Sequence, residues 1–462
     1  MTRYQSIMLD TIDSGLFLES PFGGGVSGPF DDFILEGNLP PVIVRPRTQE
    51  YALNGVATSL ETAMGFGRTS EATRVNESGN IEVVASGVAR INHDRFGQFE
   101  QILMEAEATN LIPDSGDPTA WNVVFGTVTA NSITGPTGAT EMAELRSDNG
   151  GGSGQVYLNV YRGAWDASTT HTASIFVKKG SDDWCGFGAA LLGAAVDGLT
   201  YFNLATGAVG TQHTNHSAAG IEDWGGGIYR ISVTFTTDTD VTGRVSCYIA
   251  TADGVSNSTP RDANHYMYQW GMQIEASALK TSYIPTSGGA APRAADTSLL
   301  LTSAFAYSDT EGTVLMEWAA RAVDYQRLFT FYKDATHEIF GQRSGPSNNI
   351  IRGFIEDVTT VGQIDLSTPG AGVAADSRQS VSWIAGSLKG SSDGVAAVED
   401  TVGVTIPSGA TKLAIAEDGN GNLQLGGFRE FIYHSKSLLQ ATQDTWTTGM
   451  AYSEGFNSGF GL

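Results

Sequence analysis

Apolar and polar residues alternate in short runs along most of this chain, and clusters of Gly, Asp, Asn and Ser separate the runs. Period-two alternation is what a strand with one buried face requires, because successive side chains point to opposite sides of the sheet. Between residues 113 and 290 the runs include 121–125, 155–161, 172–178, 184–187, 199–204, 229–236 and 244–250. A second series follows at 313–319, 327–332, 350–355, 379–385, 397–399, 413–416 and 426–433, and 438–446 reads as a short helix. Short strands at this spacing, with turn residues between them, predict antiparallel sandwiches. The expected fold class is all-β: two tandem antiparallel β-sandwich or jelly-roll domains preceded by an extended N-terminal attachment arm.

The pattern also suggests boundaries. Residues 1–55 mix Gly and Pro with isolated apolar side chains, Phe17, Phe22, Phe30 and Phe33 among them. These anchors are too many for a solvated linker, so the segment reads as an arm that packs on neighbouring proteins. Residues 56–112 read as a strap of short strands leading into a first sandwich at 113–290. A Gly- and Pro-bearing linker leads to a second sandwich at 298–448, and 449–462 is a Gly-rich tail. Two segments bracket the first sandwich. Residues 101–113 and 268–285 both alternate and both run into a proline, which closes a strand because it cannot donate to the ladder. Between them lie about 150 residues, a normal size for one domain.

The bracketing residues carry a resemblance. Glu105 followed by Thr109-Asn110-Leu111 resembles the entry to a carbohydrate-binding-module-like sandwich common in bacteriophage structural proteins, especially tail fibres and head fibres or spikes. The matching exit is Tyr268-Gln-Trp-Gly-Met-Gln-Ile-Glu275, then Ser282-Tyr-Ile-Pro-Thr286 and Arg293-Ala-Ala-Asp296. Upstream, residues 66–75 and 79–85 resemble the strap that precedes the domain in that group. Residues 300–448 are similar to concanavalin A-like (laminin-G-like) jelly rolls, on the Gly-initiated strand 426–433 and the helix after it. The resemblance implies a virion component assembled in the bacterial cytoplasm, with capsid, portal or tail proteins as partners. It also implies a homo-oligomer, most simply a trimer, and host surface polysaccharide as a possible ligand. That family has no fixed catalytic set, and no enzyme activity or cofactor is expected.

Composition narrows the choice of partners. Only 16% of residues are charged, yet the formal net charge is −24, and no basic run occurs. Phosphate-rich partners need clustered Lys and Arg, so nucleic acid and anionic membrane are not expected. No stretch is long and apolar enough to span a bilayer, and residues 1–10 lack the apolar core of a secretory leader. Cys185 and Cys247 fall in strand-like sequence and read as two buried free thiols.

Candidate chemistry centres on aromatic residues, since a sugar ring stacks on an exposed indole or phenol. Trp121 and Trp270 adjoin structural strands and read as core. Trp165 and Trp224 lie on loop-like sequence and are the candidate glycan-binding residues. Asp418-Gly-Asn-Gly-Asn422 imitates the opening of a calcium loop but lacks the Gly and Glu expected further on, so a turn explains it and no metal is assigned. His213 and His216 read as solvated loop histidines. The alternative function is a polysaccharide depolymerase, whose carboxylate pair only three dimensions could reveal.

Overall fold

A computed structural model describes residues 11–12, 15–16, 40–162, 165–239, 242–319, 326–343, 351–367, 377–417 and 426–448. Phe17, Phe22, Phe30 and Phe33, the Asp418–Asn422 turn and the tail 449–462 lie outside the described residues.

The described residues are nearly all β, and all strand pairings among them are antiparallel, but the two sandwiches are nested rather than consecutive. The inserted sandwich, residues 108–293, stacks two six-stranded sheets. One runs Asn122–Val124, Tyr157–Arg162, Gly243–Ala250, Trp184–Ala190, Thr200–Asn203, Ala208–Val209. The other runs Gly126–Thr134, Thr140–Ser147, Tyr266–Glu275, Thr170–Lys179, Ile228–Thr236, Ala218–Asp223. Between them, Leu158, Ile175, Val233, Cys247, Met272 and their neighbours form one buried core. Both thiols are buried and unbridged there.

The host sandwich draws strands from both sides of the insert. In its larger sheet, Gly426–His434 pairs with Glu311–Ala319 on one side; on the other, Val42↔Tyr433 and Ile102↔Phe428 join it to Val42–Arg45 and Phe99–Met104. In the smaller sheet, Thr297–Leu301 pairs with Phe66–Gly67 and with Lys412–Ile415. Val42, Val44, Met64, Ile102 and Met104 therefore share a core with Trp318, Phe329, Trp383, Phe431 and Tyr433.

This corrects two boundaries. Residues 42–53 belong to the sandwich and not to an attachment arm: Val42 and Val44 are apolar because they fill the chain's own core. Val56–Ala57, Phe66–Gly67, Arg90–His93 and Phe99–Met104 are likewise not a strap ahead of the first sandwich but strands of the second. Alternation identifies a strand without naming its partner, and here the partner lies more than 300 residues away.

One hairpin of that N-terminal stretch does reach the insert. Ala72–Val75 and Ile81–Val84 lie over the outer face of an inserted sheet, where Ile81 joins Met142, Phe176, Trp270 and Tyr283 in a second buried cluster. Thr170–Lys179 is consequently buried on both faces, with Ile175 and Val177 turned to the main core and Phe176 to the hairpin. Such a strand needs no polar face, which is why 172–177 alternates poorly.

A candidate binding cleft at the neck between the sandwiches

The chain leaves the host at Glu105 and returns at Asp296, and these residues touch: the Asp296 amide donates to the Glu105 carbonyl at 2.9 Å, and the Glu105 amide to Asp296 Oδ2 at 2.8 Å. Just beyond, Ala108–Asn110 pairs with Ala291–Arg293 to make a two-stranded neck. Five charged side chains meet there out of contact with water: Arg68, Arg90, Glu105, Arg293 and Asp296, each at most 4% exposed. Arg90 bonds Glu105 Oε2 at 2.8 Å and also Asp296; Arg68 holds the other Asp296 oxygen at 2.9 Å. Ser282 donates to Glu105 through both its amide (2.9 Å) and its hydroxyl (2.6 Å). Burial alone would lower the Arg90 pKa, but Glu105 and Asp296 outweigh it and hold the guanidinium above its ordinary value. In Arg68 and Arg293 burial prevails and lowers it. Guanidinium groups are so basic that all three remain charged.

The other bracketing residues complete the same network. Asn110 accepts from the Ile112 and Ile274 amides (both 3.1 Å) and donates to the Ile284 carbonyl (2.9 Å). Gln273 accepts from the Ile284 amide at 2.7 Å, and the Ser115 and Tyr283 hydroxyls share a 2.7 Å bond. Glu275 accepts from the Thr281 amide and hydroxyl; its burial nevertheless raises its pKa. Glu105, Asn110, Gln273, Glu275, Tyr283 and Asp296 are thus positioned as framework, and solvent reaches none of them appreciably.

Beside this neck lies a cleft of about 830 Å³ with one wall from each sandwich. The host wall is the turn after Arg90–His93. Asp94 Oδ1 accepts from the Phe96 and Gln98 amides at 2.8 and 2.9 Å, which lifts Arg95 and Phe96 to the tip. Gly97 closes the turn at φ +77°, and a Cβ there would stand 2.0 Å from the Glu77 carbonyl oxygen, so no other residue fits without displacing the neighbouring hairpin. Phe96 is 70% exposed, and the Arg95 guanidinium lies 4.4 Å from its ring centre. The insert wall is the turn Asp223-Trp-Gly-Gly-Gly227, in which the Gly225 amide bonds Asp223 at 2.7 Å. An Arg95–Asp223 ion pair joins the two turns, and Lys280 pairs with Glu222 at 2.7 Å.

The tryptophans divide accordingly. Trp224 is half-buried, stands edge-on to Phe176 at 5.0 Å and lines the cleft. Trp165 is 3% exposed, which corrects its assignment as a binding platform. Its indole packs edge-on to His171 at 5.1 Å, lies against Phe235 and donates to the Gly243 carbonyl, closing one end of the core. A turn-like sequence does not distinguish a tip in solvent from one folded back over the sheets. Trp121 and Trp270 are buried, at 6% and 5% exposure. His216 is also buried, with its Nδ1 2.7 Å from the Thr200 hydroxyl, so it is not a solvated loop residue. The residue missed by sequence reasoning is Phe96, whose signal was an aromatic at the centre of an Asp-Arg-Phe-Gly turn.

The cleft's carboxylates are engaged. Glu222 and Asp223 hold cations, Asp94 holds turn amides, Glu100 accepts from Asn92 at 2.7 Å, and Glu105 belongs to the buried cluster.

No family model matches this chain, and no curated protein does. Among solved structures, it is similar to the mouse laminin alpha1 chain, domains LG4-5, at 9% identity and a TM-score of 0.21, covering 64% of this chain and 92% of that one. A likeness of that size carries no argument, and the all-β sandwich class rests on the strand pairing described above.

Proposed function

We propose that the chain is a structural component of a bacteriophage virion, a fibre or spike held to the particle by its N-terminal arm. It would present its sandwiches for attachment to host-surface glycan. The observation that carries this reading is the neck. Of the residues that prompt the resemblance to phage fibre and spike proteins, Glu105, Arg293 and Asp296 tie the insert to the host sandwich, and Asn110, Gln273 and Tyr283 fasten the insert's own entry and exit segments together. That is what a display scaffold needs. A rigid mount keeps a recognition surface oriented without an ordering cost at each encounter. The engaged carboxylates of the cleft favour attachment over depolymerisation. Partner virion proteins and a trimeric assembly belong to the same proposal.

The test is to raise antibody against the chain and probe purified particles by immunogold microscopy and mass spectrometry, then measure host adsorption with the antibody present. Labelled particles with blocked adsorption support the reading. A chain found in infected cells but absent from purified particles overturns it, and a monomer released gently from particles removes the trimer.

A further inference from the structure

The junction cleft has a selective chemistry. Five basic and five acidic side chains line it, whereas the whole chain carries 26 basic and 50 acidic residues. The cleft is therefore formally balanced within a strongly anionic protein. Several of these charges are also paired in place: Arg95 with Asp223, Lys280 with Glu222, and Arg74 with Glu82 just outside. A paired guanidinium or ammonium keeps unused N–H donors, and a paired carboxylate keeps unused lone pairs. The surface thus offers fixed donors and acceptors side by side with little net field to attract an ion of either sign. Phe96 and Trp224 add apolar faces from opposite walls.

Donors, acceptors and aromatic faces with no net charge match one ligand class. We infer that the cleft binds a neutral oligosaccharide, gripped between the Phe96 turn of the host sandwich and the Trp224 turn of the insert. The volume of about 830 Å³ lies at the upper end of small-molecule sites, room for roughly two or three sugar rings rather than one. Charge repulsion by the rest of the chain, at −24, works against acidic glycans reaching the same place. This inference rests on the attachment reading and adds to it the site and the ligand class.

The test uses the full chain on a panel of neutral and acidic oligosaccharides, followed by calorimetric titration of the best binder. Phe96→Ala is the decisive variant, because a side chain 70% exposed can be truncated without opening a core. Trp224→Leu probes the other wall, with its melting temperature recorded because the indole also packs on Phe176. Phe125→Ala is the control, since this 45% exposed ring sits under Arg261 and does not line the cleft. The expected result is binding of a neutral oligosaccharide, weakened about tenfold or more by Phe96→Ala, as loss of one stacked ring implies, and unchanged by Phe125→Ala. Binding of acidic glycans alone, or neutral binding that survives both Phe96→Ala and Trp224→Leu, overturns the cleft and leaves the attachment reading standing. A chain that binds no glycan on the panel overturns both.

Discussion

At the scale of single residues, the neck is where a small change should cost most. Glu105 is 0% exposed, bonded to Arg90 and Ser282, and 3.6 Å from Arg293. Glu105→Gln keeps the shape but leaves three guanidinium groups with one buried carboxylate. Breaking a buried charge set in this way costs about 3–5 kcal/mol, which chemical denaturation would read as a lowered midpoint. A midpoint within error of the parent would show that the cluster is dispensable. Histidines set a second residue-scale expectation. Burial lowers His216 and His434 to about 4, well under the ordinary 6.5. The folded values are depressed, so the neutral rings are favoured in the native state. Their contribution is complete above pH 6.5 and is lost as pH falls from there towards 4, at up to roughly 3 kcal/mol each. Melting temperature should therefore drop across that window, and less so in His434→Gln. Glu275 and Glu430, which burial raises, shift stability the opposite way on acidification. The histidine variant separates the two effects.

At the scale of elements, the nested topology makes a prediction that a tandem arrangement would not. A fragment of residues 298–448 has the sequence of a complete jelly roll. It lacks Val42–Arg45, Phe66–Gly67 and Phe99–Met104, whose partners Gly426–His434 and Thr297–Leu301 would then present bare edges. Unpaired, apolar strand edges aggregate. The fragment should be insoluble or unfolded by circular dichroism. A host with residues 107–294 replaced by a short Gly-rich turn should fold, because Glu105 and Asp296 are already hydrogen-bonded. A soluble, cooperatively folded 298–448 would contradict this account. The strands themselves were legible: the runs at 172–178, 229–236 and 244–250 correspond to Thr170–Lys179, Ile228–Thr236 and Gly243–Ala250. What could not be read was pairing over long separations, since a strand's pattern encodes which face is buried and not which neighbour it meets. The same gap hid the site. Trp165 and Trp224 look alike in sequence, and only the path of each loop buries one and leaves the other at a cleft.

At the scale of the whole molecule, the neck couples the two cores. Insert and host share the charge cluster, the Ala108–Asn110 to Ala291–Arg293 ribbon and the hairpin packed on Phe176 and Trp270. Scanning calorimetry of the intact chain should show one main cooperative transition. Glu105→Gln, by loosening the neck, should split it into two. Two well-separated transitions in the parent would mean that the sandwiches melt independently and that the mount is not rigid.

By itself the sequence determined the strand class, most strand positions, the absence of basic runs and the grouping of Glu105, Asn110, Gln273, Tyr283 and Asp296 into two conspicuous motifs. These are local properties, written in period-two alternation, turn residues and composition. Only the tertiary structure decided that the two motifs meet, that Val42–Arg45, Phe66–Gly67 and Phe99–Met104 complete the second sandwich and that Phe96 and Trp224 line one cleft. Each depends on contacts between residues far apart in the chain, which hydrophobic patterning requires but does not specify.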